Sequence, residues 1–308
     1  MKAARIHKYG PPEVIVIDDL PIPEPKAGEI IVRTAAAGVG PWDALIREGK
    51  AVVNSPLPLI LGSELAGVVE AIGPGVSEFK NGDEVYGATN HEFYGAYTEF
   101  AVASASTIAH KPEGLSHLEA ASVPVVAVTA WQMLFEYAKM KAGQTVLIHG
   151  GAGNVGAYAV QLASQAGIGV TATATTKDLE YVKGLGAATV IDYMTTRFED
   201  VISPVDVVLD TVGGETQQRS YSVVKPGGML VSIVTPFPDE KQYPGIRKAF
   251  FIVEVNTARL NTLSDLFDQG KLSAQVGTVL PLEQAKAAHQ MLAGAQHKRG
   301  KILLTAGR

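Results

Sequence analysis

Apolar and polar residues alternate along this chain in two rhythms, and the change falls near Ala120. Before it, apolar stretches of strand length lie between Gly and Pro signals: Lys2–Ile6, Val14–Asp18, Glu29–Ala37, Leu65–Ile72 and Tyr97–Ala103. Pro21-Ile22-Pro23-Glu24-Pro25 is an extended connector, because each proline fixes its own φ and restricts the residue before it. One short helix is expected from Pro41, carrying Trp42, Ala44, Leu45 and Ile46. After Ala120 comes a helix over Pro124–Phe135, with proline near its start. Strands and helices then take turns: Val146–Ile148, Val155–Ala166, Val170–Ala174, Asp178–Leu185, Val190–Ile191, Val205–Leu209, Thr216–Val224 and Met229–Val234. Such alternation predicts a parallel sheet with helices on both faces. Arg259–Gln269 and Leu282–Leu292 are later helices, and Lys301–Thr305 is a last strand. A β-rich part, an α/β part and a short tail ending on one strand together predict an inserted second domain. The tail returns to complete the first domain, and a ligand cleft is expected between the two.

The densest signal lies at the start of the α/β part. The short apolar run Thr145–Ile148 breaks into Gly150, Gly151, Ala152, Gly153, Asn154, Val155 and Gly156. Val155, Ala159, Val160, Leu162 and Ala163 then recur at helical spacing until Gly167. Gly151-Ala152-Gly153-Asn154-Val155-Gly156 matches G-x-G-x-x-G between a strand and a helix. Glycines there make a tight turn, admit a pyrophosphate close to the backbone and let the helix lie against the strand. The helix start offers free N–H groups and a positive dipole end to phosphates. A dinucleotide site is the expectation.

Composition narrows the possibilities. The 308 residues suggest two domains, and a hydrophobic fraction of 46% supplies sizeable cores. A net charge of −5 gives no electrostatic reason to expect nucleic acid or an anionic membrane surface. The chain has no cysteine, which removes disulfides, thiol nucleophiles and thiolate metal ligands together. Its seven histidines are scattered without a close pair. Met1–Gly10 has no apolar core of signal-peptide type. The most hydrophobic segment, Ala120–Phe135, is interrupted by Ser122, Pro124, Thr129 and Gln132. It falls short of the ~20 apolar residues of a membrane span. The expectation is a cytoplasmic protein with neither nucleic acid nor membrane as partner.

Several stretches together resemble the medium-chain dehydrogenase/reductase family, in its zinc-independent quinone oxidoreductase (zeta-crystallin-like) branch. They are Ala37-Gly38-Val39-Gly40-Pro41-Trp42-Asp43, Gly62-Ser63-Glu64-Leu65-Ala66-Gly67 and Gly82-Asp83-Glu84-Val85-Tyr86-Gly87. Further along come Thr129-Ala130-Trp131, the glycine turn, Asp206–Gly214, Lys225–Ser232 and Arg299-Gly300-Lys301. The resemblance implies an α/β chain: a GroES-like β-rich catalytic domain over 1–122 and 263–308, plus a Rossmann doubly wound parallel sheet over 123–262. It implies NADPH-linked hydride transfer to a small-molecule electron acceptor. Zinc-dependent relatives carry cysteine at the position of Gly40 and histidine at that of Ser63, so no metal is expected here. Glu64 is read as a buried structural carboxylate. The branch also implies a homodimer or homotetramer built on the Rossmann sheet edge, for which the apolar Phe250–Val255 is a candidate edge strand.

The cofactor reading rests on Gly151, Gly153, Asn154, Val155 and Gly156 for the diphosphate. An NAD-preferring site places Asp or Glu about 20 residues past the glycines. Here the second strand ends Ala172-Thr173-Ala174-Thr175-Thr176-Lys177 with no carboxylate. Thr175, Thr176 and Lys177 are therefore expected to receive a 2′-phosphate. The branch has a similar lysine, and a tyrosine after the third strand that Tyr193 matches. By the same resemblance Thr129, Val212, Ser232 and Val234 border the nicotinamide. Trp42, Tyr86, Tyr94 and Tyr97 are candidates for a flat aromatic wall of the substrate cleft. Ala44–Ala51 holds no tyrosine, which argues against fatty-acyl enoyl reduction, and no proton donor is assigned. The expected activity is NADPH-dependent reduction of quinones or related conjugated carbonyls. The alternatives are a 2-alkenal or enone reductase of the same fold and a non-catalytic NADPH-binding redox sensor.

Overall fold

The structure is a computed structural model and describes residues 1–51, 56–237 and 243–306. The last two residues of the expected 263–308 segment lie outside the described residues. The chain folds as two compact units, Met1–Val125 with Glu254–Arg308, and Val126–Val253.

The first unit is built around the long strand Glu29–Val39. It pairs antiparallel with Glu64–Ile72, with Phe100–Ser104 and with the tail strand Lys301–Thr305. Its register sets Gly38 opposite both Glu64 and Leu303. The tail contributes two strands, since Val276–Pro281 pairs parallel with Lys301–Thr305. A Cβ on Gly277 would stand 2.6 Å from the Gly300 carbonyl oxygen, so glycine permits that approach. Glu84–Ala88 and Ile108–His110 extend the same sheet, and a smaller one joins Ile15–Asp19, Lys2–Ile6 and Leu59–Ile60. Apolar side chains such as Ile6, Ile30, Val32, Leu61, Leu65 and Leu304 fill the core.

Among the described residues the second unit carries six parallel strands: Thr145–Ile148, Gly169–Ala174, Thr189–Asp192, Val205–Asp210, Val224–Ser232 and Arg247–Phe250. Numbered in chain order, they lie side by side as third, second, first, fourth, fifth, sixth. This is the Rossmann order, which reverses direction between the first and fourth strands. Val146, Leu147, Ile148, Val208 and Leu209 are buried, as a sheet covered on both faces requires. Ligands of such sheets bind outside the carboxyl ends at the point of reversal.

Several elements depart from the sequence reading, including the tail strand Val276–Pro281 and the sixth strand Arg247–Phe250, which it did not predict. The helix from Pro124 is regular only to Trp131, and Gln132–Tyr137 is a wider π-type turn. Residues 214–224 divide into a helix at Gly214–Ser220, a 3₁₀ turn at Tyr221–Val223 and the start of the fifth strand. Phe250–Val255 is not a strand. The ladder ends at Phe250, and Phe251 instead turns inward to stack on Tyr137 with ring centroids 4.2 Å apart. Among the described residues no helix is long and apolar enough to cross a membrane.

Candidate active site

The glycine turn follows the first strand of the second unit. Gly150 adopts φ +72°, a conformation open to glycine at little cost. A Cβ on Gly156 would sit 2.1 Å from the Gly150 carbonyl oxygen, so this glycine brings the helix down onto the turn. Gly151 is packed against Ala172 and Val182, where a Cβ would stand 2.9 and 3.1 Å away. Gly153 is exposed, and its amide closes the turn onto the Gly150 carbonyl at 2.9 Å. The twelve-residue helix Asn154–Gln165 then begins with no side-chain cap and no acid in its first turn. Its N–H groups and positive dipole end are available to an anion. These residues fit a nucleotide diphosphate.

Behind the turn, His149 is buried and orders its neighbours. Ser220 donates its hydroxyl proton to the Thr216 carbonyl at 2.6 Å. It must therefore accept from His149 Nε2 at 2.9 Å. His149 Nδ1 is then the acceptor for the Thr173 hydroxyl at 3.3 Å, and Thr173 Oγ1 accepts the Gly150 amide at 3.2 Å. Burial lowers the imidazole to about 4, so it works as a neutral relay that fixes the start of the turn.

Asp210, fully buried at the end of the fourth strand, is a positioning residue that the sequence reading did not single out. One carboxylate oxygen accepts the amides of Val212 and Gly213 at 3.0 and 2.8 Å. The other accepts the Ser232 hydroxyl at 2.9 Å and the Gln217 amide at 3.2 Å. The Thr211 hydroxyl donates to the His149 carbonyl at 2.8 Å, tying this loop to the glycine turn. An acid two residues before Val212-Gly213-Gly214, at a strand end, was the available signal. Val212 and Val234 are exposed, and Thr129 is buried on its helix. Ser232 is buried and donates its hydroxyl to Asp210, so this hydroxyl braces the loop.

The adenosine end also differs from expectation. Lys177 and Tyr193 are exposed, beyond the ends of the second and third strands. Lys177 makes no ion pair among the described residues. The two hydroxyls beside it are occupied. Thr175 donates to Asp178 at 2.6 Å, and Thr176 donates to Asp192 at 2.5 Å. In this arrangement neither can donate to a phosphate. A carboxylate does stand at the end of the second strand, but the third strand supplies it.

Of the aromatic candidates in the first unit, Tyr86 and Tyr97 are corrections. Both are fully buried. Tyr86 donates to the Leu260 carbonyl at 2.8 Å, and Tyr97 donates to Asp43 at 2.9 Å. They are core groups because their hydroxyls find partners inside the unit. Trp42 and Tyr94 are half-buried. Trp42 lies over Gly40, where a Cβ would meet its ring at 2.3 Å. Its indole N–H donates to Ser63 Oγ at 2.9 Å, and the Lys301 ammonium lies 4.3 Å from its ring centroid. Lys301 is ion-paired with Glu64, both buried, while the other Glu64 oxygen accepts the Val125 amide at 2.7 Å.

Residues 26–113 match the alcohol dehydrogenase GroES-like domain family, and residues 185–304 match the zinc-binding dehydrogenase family. The quinone oxidoreductase of Sus scrofa is 31% identical over 99% of this chain and 97% of its own length. The chloroplastic NADPH-dependent alkenal/one oxidoreductase of Arabidopsis thaliana is 32% identical over 99% of this chain and 79% of its own. The solved quinone oxidoreductase of Coxiella burnetii superposes with a TM-score of 0.90, at 33% identity and 99% coverage of both chains. The chain belongs to the medium-chain dehydrogenase/reductase superfamily, in its quinone oxidoreductase branch. It is an oxidoreductase, of a family that binds a nicotinamide cofactor. The zinc in the second family's description does not fit these residues. The chain has no cysteine, and no group of three His, Asp or Glu among the described residues could hold a metal ion. An ammonium already neutralises Glu64.

Proposed function

We propose that this chain is an NADPH-dependent, zinc-independent reductase of quinones and related conjugated carbonyls. The observation that carries this is the uncapped helix start at Gly153–Asn154, beside the reversal of strand order. There the backbone amides bind the diphosphate, and the exposed Lys177 supplies a cation for a phosphate on the adenosine ribose. A bound reduced nicotinamide supplies the hydride that the acceptor takes up. Asp210 holds the Val212–Gly213 loop still, and His149 holds the turn. Trp42 has its N–H tied to Ser63, so it has no donor to offer an acceptor. The acceptor class follows the names of the relatives, and the alkenal/one oxidoreductase supports enones as a second reading. Among the described residues Arg247–Phe250 lies at the edge of this sheet, which supports a homo-oligomer joined through it.

The test is purified protein with NADPH, a quinone, and short α,β-unsaturated aldehydes and ketones, followed at the NADPH absorbance band. The expected result is quinone-dependent oxidation that a zinc chelator leaves unchanged. Faster turnover of the enones moves the assignment to the second reading. Binding without turnover of any acceptor overturns the enzymatic proposal in favour of a redox sensor. One tightly bound zinc per chain overturns the metal-free part.

A further inference from the structure

We propose that Asp192 is a cofactor-selectivity residue that holds back the preference for the phosphorylated nucleotide and keeps NADH usable. The inference rests on the nucleotide reading above. Asp192 ends the third strand, directly beside Ala174 at the end of the second. Its Oδ2 accepts the Thr176 hydroxyl at 2.5 Å, and its Oδ1 accepts the Met194 amide at 3.0 Å. The carboxylate is thus pinned between the two loops that carry Lys177 and Tyr193, where a nucleotide's ribose is expected.

The surrounding charges decide its effect. Asp178 lies beneath, buried and holding Thr175. Glu180 is paired with Lys183, and Arg197 is paired with Glu199. Among the described residues Lys177 is therefore the cation available to a 2′-phosphate, and Asp192 sets an opposing charge at the neighbouring strand end. A phosphate bearing close to two negative charges is penalised by a fixed carboxylate nearby. A neutral ribose hydroxyl is not. Each Asp192 oxygen accepts one hydrogen bond here and has a second lone pair, so it can also take a ribose hydroxyl proton without giving up Thr176 or Met194. The usual carboxylate of an NAD site comes from the end of the second strand. Here the neighbouring strand delivers it.

The test is Asp192→Asn, which removes the charge at constant shape; its amide can donate to Thr176 Oγ and its carbonyl can accept from Met194. Dissociation constants for NADPH and NADH are measured by nucleotide fluorescence, together with kcat/KM for each. The expected result is a preference for NADPH over NADH that grows roughly tenfold, read as a fall in the NADPH-to-NADH ratio of dissociation constants and of KM and a rise in that of kcat/KM. Lys177→Ala is expected to move the preference the other way. Asp192→Ser serves as a second charge-free variant should the asparagine protein fold poorly. If the wild type binds both nucleotides and both charge-free variants leave the ratio within about twofold, the inference fails and the nucleotide reading stands. If the wild type binds neither nucleotide, that reading fails, and the inference with it.

Discussion

Asp43 sits in the interior of the first unit with one oxygen bonded and the other without a partner. Oδ2 accepts the Gly40 amide at 2.8 Å and the Tyr97 hydroxyl at 2.9 Å. Among the described residues Oδ1 has no hydrogen-bond partner. Burial pushes this carboxyl from 3.8 up to about 7, against the pull of those bonds and of Lys301. Between these two values the folded chain keeps a proton that the unfolded chain releases, so Asp43 makes stability fall as pH rises. His149 and His289 act in the opposite sense. Burial lowers them to about 4 and about 3, so stability from each rises with pH up to the ordinary imidazole value of 6.5. The difference between Asp43→Asn and wild type isolates the acid. The variant is expected to gain relative stability from pH 4 to pH 7, by up to about 1.4 kcal/mol per pH unit, as read from urea midpoints. A difference that does not change with pH would show that Asp43 is ionised throughout.

At the scale of elements, Asp210 accepts four of the hydrogen bonds that hold the loop after the fourth strand. Asp210→Ala removes four hydrogen bonds and leaves the Ser232 hydroxyl and the Val212 and Gly213 amides to find other partners. A stability loss of about 3 kcal/mol is expected, with weakened nucleotide binding in whatever folds. Asp210→Asn, which keeps an acceptor for the two amides, is expected to recover part of both losses. Equal losses in the two variants would show that the loop amides do not depend on this acceptor. Nothing in the local sequence marks Asp210 as bonded to Ser232, because that contact exists only once the fourth and fifth strands pair. Phe251 shows the converse: its apolar neighbours read as a strand, but the ring was claimed by Tyr137.

Across the whole molecule, what the sequence discloses depends on how completely an element is buried. The strands Thr145–Ile148 and Val205–Asp210 are covered on both faces and read as apolar runs, so the parallel sheet and its glycine turn were legible. Val276–Pro281 is half-exposed and contains Gly277, and Arg247–Phe250 is half-polar, so neither stood out. The turn at Gly151–Gly156 was legible because it is local, lying between a strand and a helix that follow each other in sequence. The site was not legible where distant segments build it. Glu64 meets Lys301, and Thr176 meets Asp192, only through strand neighbours that no short-range pattern encodes. Composition could not distinguish Tyr97 in the core from Tyr94 near the surface.

The central claim is that the glycine turn binds a pyridine nucleotide, and an equilibrium titration of NADPH into wild type and Gly156→Ala tests it most directly. In the variant a methyl group would press on the Gly150 carbonyl from 2.1 Å and lift the helix start away from the turn. The account predicts saturable one-to-one binding by wild type and at least about tenfold weaker binding by a folded Gly156→Ala protein. Equal affinity in the two proteins, or no binding by wild type, would contradict it.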